Sequence, residues 1–372
     1  MKVIFFGSSN FCLPILDSLK SNFKLVSVVT KKGQTVEKYA QSHNIRFFTP
    51  ANKEELFQLK NDISGLKPDL AIVADYGFII PAEIFDIPPF KTLNIHFSKL
   101  PKFRGPSPVQ YTLMMGEKSA WISIILMDEG LDTGDIIWQK SFDFAQDKEG
   151  QGETTGSLYN KLFNIASLSL PDVINKYVKN ELKPQKQDHS HATYTKHLTR
   201  QDGYIPSELL GMAIEGNQPT NDQLSKWKLY NEILHKLPST RYSRLSGISR
   251  LDRGSSTSSG HDAVDTHSSQ TASGQLPTII DHTLRALSPW PGLWTTVQIV
   301  NNNQITKRLK ILKVHLEADN NLPLNYPSRD TKVVGNLNIP VRFVLDEVQL
   351  EGKKPVSWKQ FTNGYPQFSF KS

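Results

Sequence analysis

The chain has 372 residues, a formal net charge of +7, 38% hydrophobic residues and one cysteine. This length suggests two domains. A single cysteine excludes an intrachain disulfide framework and a zinc site built on paired cysteines. Apolar runs such as Val3–Phe6 are too short to span a bilayer, and the first residues lack a signal-peptide pattern. We therefore expect a soluble, cytoplasmic protein.

Positive charge is concentrated in the second half of the chain. Residues 1–195 carry 22 basic and 21 acidic residues, whereas residues 196–372 carry 21 basic and 15 acidic residues. This excess fits a polyanionic partner such as RNA, or simply a solvated basic surface. A local cluster comprises Lys307, Arg308, Lys310 and Lys313. In a regular strand, Arg308 and Lys310 would share one face, and Lys307 and Lys313 the other.

The first half alternates short apolar runs with segments of helical periodicity. The runs predict strands at Lys2–Phe6, Leu25–Val29, Phe47–Phe48, Leu70–Ala74, Thr92–His96 and Ile122–Met127. Helices are predicted at Phe11–Lys20, Lys38–His43, Glu54–Leu59 and Leu158–Val178. Such alternation is typical of a doubly wound, Rossmann-like α/β fold, whose functional residues lie at the carboxyl ends of strands. Gly7–Asn10 lacks the later glycines of a dinucleotide fingerprint and indicates a plain strand-to-helix turn, and Cys12 reads as a core residue.

The second half has a different composition. Residues 179–195 are polar and predict a linker, and residues 239–276, with 11 serines in 38 positions, predict a disordered or loop segment. Helices are expected at Asn221–Leu237, with Asn221 as cap, and at Ile279–Leu287. Several short strand-like runs suggest a small β-barrel: Trp294–Val300, Leu309–Leu316, Val333–Leu337, Val341–Leu345 and Glu347–Leu350.

Three polar residues form the candidate chemistry. Asn94 and His96 flank Ile95, so a strand would place both on one face, and Asp132 lies on a later Thr-Gly-Asp turn. Together these groups can perform acyl transfer without a covalent intermediate. The amide and a protonated imidazole would donate hydrogen bonds to a developing oxyanion, while the carboxylate orients the imidazole or collects a proton from an attacking amine. Taken singly, a strand histidine such as His96 more often has a structural role, and an aspartate before Thr-Gly such as Asp132 more often forms an Asx-turn.

Several motifs resemble one enzyme family. Residues 94–105, NIHFSKLPKFRG, resemble the N-x-H…S-L-L-P-x-x-R-G stretch of folate-dependent formyltransferases, with Lys99 in the place of a leucine. Residues 131–136, LDTGDI, resemble their L-D-T-G-D segment, and residues 6–11 and 75–77 are similar to other family landmarks. Residues 288–292, SPWPG, and 349–357, QLEGKKPVS, resemble the methionyl-tRNA formyltransferases within that superfamily. The likeness covers residues 1–200 and 278–366.

The resemblance implies a function and a set of site residues. It implies transfer of the formyl group of 10-formyltetrahydrofolate to the α-amino group of methionyl initiator tRNA, with Asn94, His96 and Asp132 as catalytic residues and no metal. The folate-binding site would be lined by Ser98, Lys99, Leu100, Pro101, Ala74, Asp75, Tyr76 and Gly77. Candidate tRNA contacts are Arg104, Lys307, Arg308, Lys310 and Lys313.

The predicted organisation is a catalytic domain at 1–178, a linker at 179–195 and an OB-like tRNA-binding domain at 196–372, acting as a monomer. Two other hypotheses remain open. One is a formyltransferase that acts on a sugar-nucleotide or purine-precursor amine, which would not require the basic β-rich half. The other is a non-catalytic RNA-binding protein, against which the intact trio argues.

Overall fold

A computed structural model of the chain describes residues 1–143, 152–217, 219–234, 276–301, 303–318, 332–334, 337–339 and 341–370. The chain divides into two compact units, residues 1–197 and 198–372. The predicted Ser-rich segment lies outside the described residues, apart from Leu276, which begins a helix. In the part of the chain that the structure describes, no helix is both long and apolar enough to cross a membrane.

The first unit is built on a seven-stranded sheet in the order β3-β2-β1-β4-β5-β6-β7. Its strands are β1 (Lys2–Phe6), β2 (Lys24–Val29), β3 (Phe47–Phe48), β4 (Leu70–Val73), β5 (Thr92–His96), β6 (Ser119–Leu126) and β7 (Ile136–Asp143). β1 to β5 pair in parallel, and β6 and β7 are antiparallel. The predicted strands and their Rossmann-like arrangement are confirmed. β7 was not predicted, because it is a partly exposed edge strand without a continuous apolar run.

Helices cover the sheet. They are α1 (Leu13–Asn22), α2 (Thr35–Ser42), α3 (Lys53–Gln58), α4 (Lys60–Gly65), α5 (Ala82–Phe85), α6 (Pro108–Met114) and α7 (Thr155–Val178). The first residue of α6 is a proline, which is tolerated at this position because the N–H that proline lacks would have no partner within the helix. A capping box between Thr154 and Ser157 begins α7. α4, α5 and α6 were not predicted because they are too short for periodicity to reveal.

The core of the first unit fixes the loops at the carboxyl ends of its strands. β1 and β4 are almost fully buried, as expected for parallel strands covered on both faces. Cys12 is buried as predicted, its thiol donates to the Ala74 carbonyl at 3.3 Å, and burial raises its pKa to about 12. A Cβ at Gly7 would lie 2.6 Å from the Ala74 oxygen, so glycine permits this close approach.

The predicted linker is part of the first unit. The backbone of Gln185 exchanges hydrogen bonds of 2.8 and 2.9 Å with Ile136 at the start of β7. Gln187 is 5% exposed, although its neighbours Lys186 and Asp188 face solvent. The segment therefore packs on the sheet, and its polar composition reflects only its outer side. The predicted domain limits themselves stay a prediction.

The second unit combines helices with antiparallel strands. Its helices are α8 (Ser207–Glu215), α9 (Asn221–Ser225), α10 (Lys228–Leu234), α11 (Leu276–Ala286) and α12 (Trp358–Gly364). Its strands are β8 (Leu293–Asn301), β9 (Asn303–Ala318), β10 (Lys332–Val334), β11 (Leu337–Ile339), β12 (Val341–Leu350) and β13 (Val356–Ser357). They form a four-stranded sheet in the order β13-β12-β9-β8 and a separate β10–β11 ribbon. The predicted β-rich second domain is confirmed in this form.

Two predicted elements of the second unit differ in detail. The expected helix from Asn221 is divided into α9 and α10 at the buried Trp227, and its cap is Thr220, whose hydroxyl accepts from the Gln223 N–H. The two predicted strands between residues 341 and 350 form the single strand β12, with a bulge at Asp346. A bulge resembles a strand break in the sequence because it interrupts the alternation of apolar residues.

Candidate active site

The three predicted catalytic residues meet at the end of β5. Asn94 and His96 share one face of this strand, and Asp132 reaches them from the loop between β6 and β7. The Asn94 amide donates to Asp132 Oδ1 at 3.2 Å, and His96 Nδ1 lies 3.6 Å from Asp132 Oδ2. The structure thus brings one carboxylate into contact with both an amide and an imidazole.

The hydrogen-bond partner of His96 determines which of its ring nitrogens carries a hydrogen. The residue is 6% exposed, and its Nε2 lies 2.9 Å from the Phe103 carbonyl oxygen. A carbonyl oxygen only accepts, so Nε2 carries a hydrogen and Nδ1 is the nitrogen that faces Asp132. Both ring nitrogens are therefore held by the protein.

Backbone geometry holds the Asp132 carboxylate. Asp132 has a φ of +54°, in the left-handed region that aspartate tolerates better than most residues. Its Oδ2 accepts the Gly105 N–H at 2.7 Å. A turn-forming role falls instead to Asp128, whose Oδ1 accepts from Gly130 and Thr133. The carboxylate of Asp132 is thus directed at Gly105 and Asn94.

A layer of aromatic rings supports the end of β5. Phe97, which follows His96, packs on Phe163 with ring centroids 4.5 Å apart, and Tyr159 and Phe11 complete the layer. Burial raises the pKa of Tyr159, so its phenol is neutral at physiological pH. The rings thus pack together directly beneath the carboxyl end of β5.

The predicted folate loop, residues 98–101, is tied to β6 and β7. The Ser98 carbonyl accepts from the Ser123 hydroxyl at 2.5 Å, and the Leu100 carbonyl accepts from Gln139 at 3.1 Å. Ser98 and Leu100 are buried, whereas Lys99 is exposed and places its ammonium 4.5 Å from the centre of the Trp121 ring. This contact gives Lys99 a structural partner at the position where the family pattern has leucine.

The second predicted folate segment, residues 74–77, follows β4. Val73 pairs with Asn94, so the segment begins beside the catalytic strand end. Asp75 and Gly77 are exposed and have φ values of +47° and +76°. Tyr76 is 2% exposed, its hydroxyl has no hydrogen-bond partner among the described residues, and burial raises its pKa. The segment thus presents a tight exposed turn over a buried ring.

Arg104 does not occupy the surface position that a tRNA contact requires. It is 1% exposed, and its guanidinium donates to Gln187, Tyr194 and His189 within the first unit. Its N–H groups are covered and have acceptors within the protein, so the tRNA contact expected of Arg104 stays a prediction that this position does not support. Basic character alone does not distinguish a buried arginine from a surface one.

Sequence reasoning missed the groups that hold the site in place. The Phe103 carbonyl, the Gly105 N–H and the Gln187 side chain bond the trio or the loop of Asp132. Ser123 and Gln139 hold the loop of residues 98–101. Backbone groups leave no signal in residue type, and Gln187 lies 55 positions from the loop it contacts. Only the Arg-Gly dipeptide at 104–105 within the family-like motif points to this region.

The basic cluster of the second unit lies on β9. Leu309 and Ile311 face the interior, and Ile311 and Lys313 pair with the adjacent residues Val348 and Glu347, which leaves Leu312 as an extra bulged residue. The bulge turns Lys313 to the face opposite Ile311. The predicted split of the cluster is therefore corrected: Arg308, Lys310 and Lys313 share the outer face, and Lys307 lies on the other. The Arg308 guanidinium also stacks 4.7 Å from the Trp294 ring centre.

Comparison with known proteins matches both parts of the chain. Residues 1–174 match the formyl transferase family, and residues 277–366 match the formyl transferase C-terminal domain. A methionyl-tRNA formyltransferase from Hydrogenobaculum sp. (strain Y04AAS1) is 35% identical over 213 residues, 54% of this chain and 68% of that protein. One from Clostridium novyi (strain NT) is 26% identical over 380 residues, 98% of this chain and 97% of that protein.

Solved structures share the fold. An N-formyltransferase from Helicobacter canadensis, solved with folinic acid and dTDP-3-aminofucose, aligns over 93% of this chain and 98% of its own at 16% identity, with a TM-score of 0.53. The sugar 3N-formyltransferase WlaRD aligns over 95% of this chain and 99% of its own at 17% identity, with a TM-score of 0.51. Because both family regions occur in order and a full-length alignment supports them, the chain belongs to the methionyl-tRNA formyltransferase family.

Proposed function

We propose that this protein transfers the formyl group of 10-formyltetrahydrofolate to the α-amino group of methionyl initiator tRNA. The observation that carries the proposal is the contact of Asp132 with both Asn94 and His96, at the carboxyl edge of the parallel strands β1 to β5. Ligands bind at this edge in doubly wound folds. Membership of the family supplies the identity of donor and acceptor.

Asn94 is the proposed hydrogen-bond donor to the formyl oxygen. Its side-chain nitrogen carries two hydrogens, of which one is donated to Asp132 Oδ1. The second hydrogen is directed by this bond and can stabilise negative charge on the formyl oxygen as the amine attacks. A donor fixed before the reaction costs no reorganisation in the transition state.

His96 contributes through its position beside the carboxylate. Its Nε2–H is bonded to Phe103, so a direct hydrogen bond to the formyl oxygen requires this hydrogen to be shared or the ring to rotate. In its protonated form the ring also places positive charge next to the developing oxyanion. In a site with little water, that charge acts more strongly than it would in solution.

Asp132 is the proposed proton acceptor for the attacking amine. The bond between the amine nitrogen and the formyl carbon forms, and the bond from that carbon to N10 of the folate breaks. The proton that the amine loses passes to Asp132, directly or through a water molecule, and ends on N10 of the departing tetrahydrofolate. Asn94 and Gly105 hold the carboxylate during this transfer.

The donor is proposed to lie between the two segments that flank the trio. Residues 74–77 offer an exposed turn. Residues 98–101 form a loop close to His96 that is held by hydrogen bonds from β6 and β7. The carbonyls of Ser98 and Leu100 are already bonded within the protein. We therefore assign these two residues to shaping the donor site, and the turn at Asp75 and Gly77 to direct contact.

The second unit is proposed to hold the tRNA. Arg308, Lys310 and Lys313 project from one face of β9, and Trp294 lies under Arg308. Cations that follow a strand can neutralise successive phosphates. Lys307, on the opposite face, is not part of this surface.

The proposed acceptor is tested by offering the protein one candidate amine at a time. The protein is incubated with 10-formyltetrahydrofolate and either methionyl initiator tRNA, an amino-sugar nucleotide or a purine-precursor amine, and both tetrahydrofolate release and acceptor formylation are measured. We expect formylation of the tRNA alone. Formylation of a small amine in its place would contradict the proposed acceptor, and RNA binding without any formylation would contradict the proposed activity.

A further inference from the structure

The guanidinium of Arg104 is buried beside the catalytic trio. It is 1% exposed, and it makes four hydrogen bonds: Nε and Nη2 donate to Gln187 Oε1 at 3.2 and 2.7 Å, Nη1 to the Tyr194 hydroxyl at 3.2 Å and Nη2 to His189 Nδ1 at 3.1 Å. Burial of a charged group is expensive unless its N–H groups find acceptors. Here the acceptors fix the plane of the guanidinium.

Gln187 connects this guanidinium to the loop that carries Asp132. Its side-chain oxygen accepts both hydrogen bonds from Arg104, and its Nε2 donates to the carbonyls of Asp132 at 2.9 Å and Gly134 at 2.7 Å. Both hydrogens of Nε2 are thereby used. Because Arg104 only donates, it fixes which end of the amide faces the loop.

The backbone around Arg104 holds the other side of the site. The Phe103 carbonyl accepts from His96 Nε2 at 2.9 Å, and the Gly105 N–H donates to Asp132 Oδ2 at 2.7 Å. One three-residue stretch therefore contacts both reacting side chains. Its middle residue is anchored through Gln187 to the backbone of Asp132, so His96 and Asp132 are positioned relative to each other by one connected set of bonds.

We propose that Arg104 and Gln187 are positioning residues, which set the distance and orientation between Asp132 and His96 without touching either substrate. The proposal rests on the formyl transfer proposed above. A displacement of about 1 Å at a reacting group costs about 10²-fold in rate, so such a support affects turnover although it lies outside the reaction.

The substitution Gln187→Glu tests this support. It keeps the acceptor for Arg104 and adds charge pairing, but it removes both Nε2 donors and turns a carboxylate toward the carbonyls of Asp132 and Gly134. The matched control is Gln185→Glu, the same change two positions away at an exposed side chain whose backbone bonds to Ile136 remain. We expect Gln187→Glu to lower kcat by about 10²-fold with little change in the KM for either substrate, because positioning acts in the transition state. Gln185→Glu leaves both constants unchanged.

A second readout does not depend on activity. The ring nitrogen and hydrogen resonances of His96, observed by NMR with labelled histidine, should change in Gln187→Glu and in Arg104→Lys and stay as in the unsubstituted protein in Gln185→Glu. Lysine keeps the charge of Arg104 but cannot bond both Gln187 and Tyr194 in the same planar arrangement.

The outcomes separate this proposal from the proposed function. A folded Gln187→Glu protein with an unchanged kcat, or a loss confined to KM, overturns the positioning role. If Gln187→Glu fails to fold, Arg104→Lys serves as the test variant by the same two measurements. If the unsubstituted protein formylates no acceptor, the proposed function is contradicted. Altered His96 resonances in Gln187→Glu would still support the positioning role in that case. Unaltered resonances contradict the positioning role whatever the activity.

Discussion

Two glycines permit close backbone contacts in the two loops that meet at Asp132. A Cβ at Gly134 would lie 1.7 Å from the Leu126 carbonyl oxygen, and Gly105, with a φ of +106°, would place one 2.7 Å from the Thr195 oxygen. Both contacts are with backbone, which cannot move aside as a flexible side chain can. The loop geometry therefore depends on the absence of two side chains.

The substitution Gly134→Ala should destabilise the protein and lower its activity. Overpacking of this kind costs about 1–3 kcal/mol in the free energy of unfolding, and relief of the clash displaces the carbonyl that Gln187 bonds. Gly65→Ala is the control, since a Cβ there has no atom within 4 Å and should raise stability by about 0.4–1 kcal/mol. Chemical denaturation measures both. Equal stabilities for the two variants would show that the loop accommodates a methyl group.

At the residue scale, the sequence pointed to the three proposed catalytic residues but not to the groups that support them. Asn94 and His96 could be placed on one face because alternation along a strand is regular, and the Thr-Gly-Asp turn singled out Asp132. Their supports could not be found, because a carbonyl at Phe103 has no sequence signature and Gln187 lies in a polar segment that predicts only a linker. Tertiary packing gives these groups their role.

Among the elements, β9 shows how one bulged residue changes a surface. Strict alternation predicts two cations on each face, whereas the bulge at Leu312 places Arg308, Lys310 and Lys313 together. Nothing in the apolar pattern reveals the bulge, since Ile311, Leu312 and Val314 are all hydrophobic. Register against β12 determines it. Strand existence was predictable here, but strand register was not.

This register predicts a graded salt dependence of tRNA binding. Replacing Arg308, Lys310 and Lys313 by glutamine should flatten the plot of log affinity against log salt by about three units, roughly one for each lost phosphate contact. Lys307→Gln, on the opposite face, is the matched control and should leave the slope unchanged. Binding isotherms at several salt concentrations measure the slope. Equal slopes for the two variants would remove the outer face of β9 from the RNA-binding surface.

A second prediction concerns the link between β9 and β12. His315 on β9 contacts Glu317 and the bulge residue Asp346 at 2.9 and 2.8 Å, and these carboxylates raise the pKa of its imidazole. The folded state then holds a proton that the unfolded state has already lost. The stabilisation is complete below the unfolded pKa of about 6.5 and is lost as the pH rises through the folded pKa. Thermal unfolding measured across this window should show a smaller decline for His315→Gln. An identical pH profile would exclude the contribution.

At the scale of the whole molecule, we propose a separate task for each of the two units. The first unit holds the proposed catalytic residues and the proposed donor site, and the second holds the outer face of β9 with its cations. The fold class was predictable because continuous apolar strands alternate with helices in the first half. That residues 179–197 belong to the first unit was not predictable from the sequence. Their contacts with β7 and Arg104 are made by isolated backbone groups and one side chain.

Separable tasks predict separable defects. Asp132→Asn removes the proposed proton acceptor while the shape is kept, so it should reduce the rate of formyl transfer and leave tRNA affinity intact. The glutamine variant of Arg308, Lys310 and Lys313 should weaken tRNA affinity and leave the rate at saturating tRNA intact. The two defects should multiply in the combined variant, since they lie in different steps.

The most direct measurement is the single-turnover rate of formyl transfer to methionyl initiator tRNA, followed as a function of tRNA concentration with the full chain saturated in 10-formyltetrahydrofolate. We expect Asn94→Ala, His96→Ala and Asp132→Asn each to lower the saturating rate by about 10²–10³-fold, as loss of one preorganised group does in acyl transfer, with an unchanged half-saturating concentration. A folded His96→Ala or Asp132→Asn protein that transfers formyl at the full rate would contradict the central claim that this trio performs the reaction.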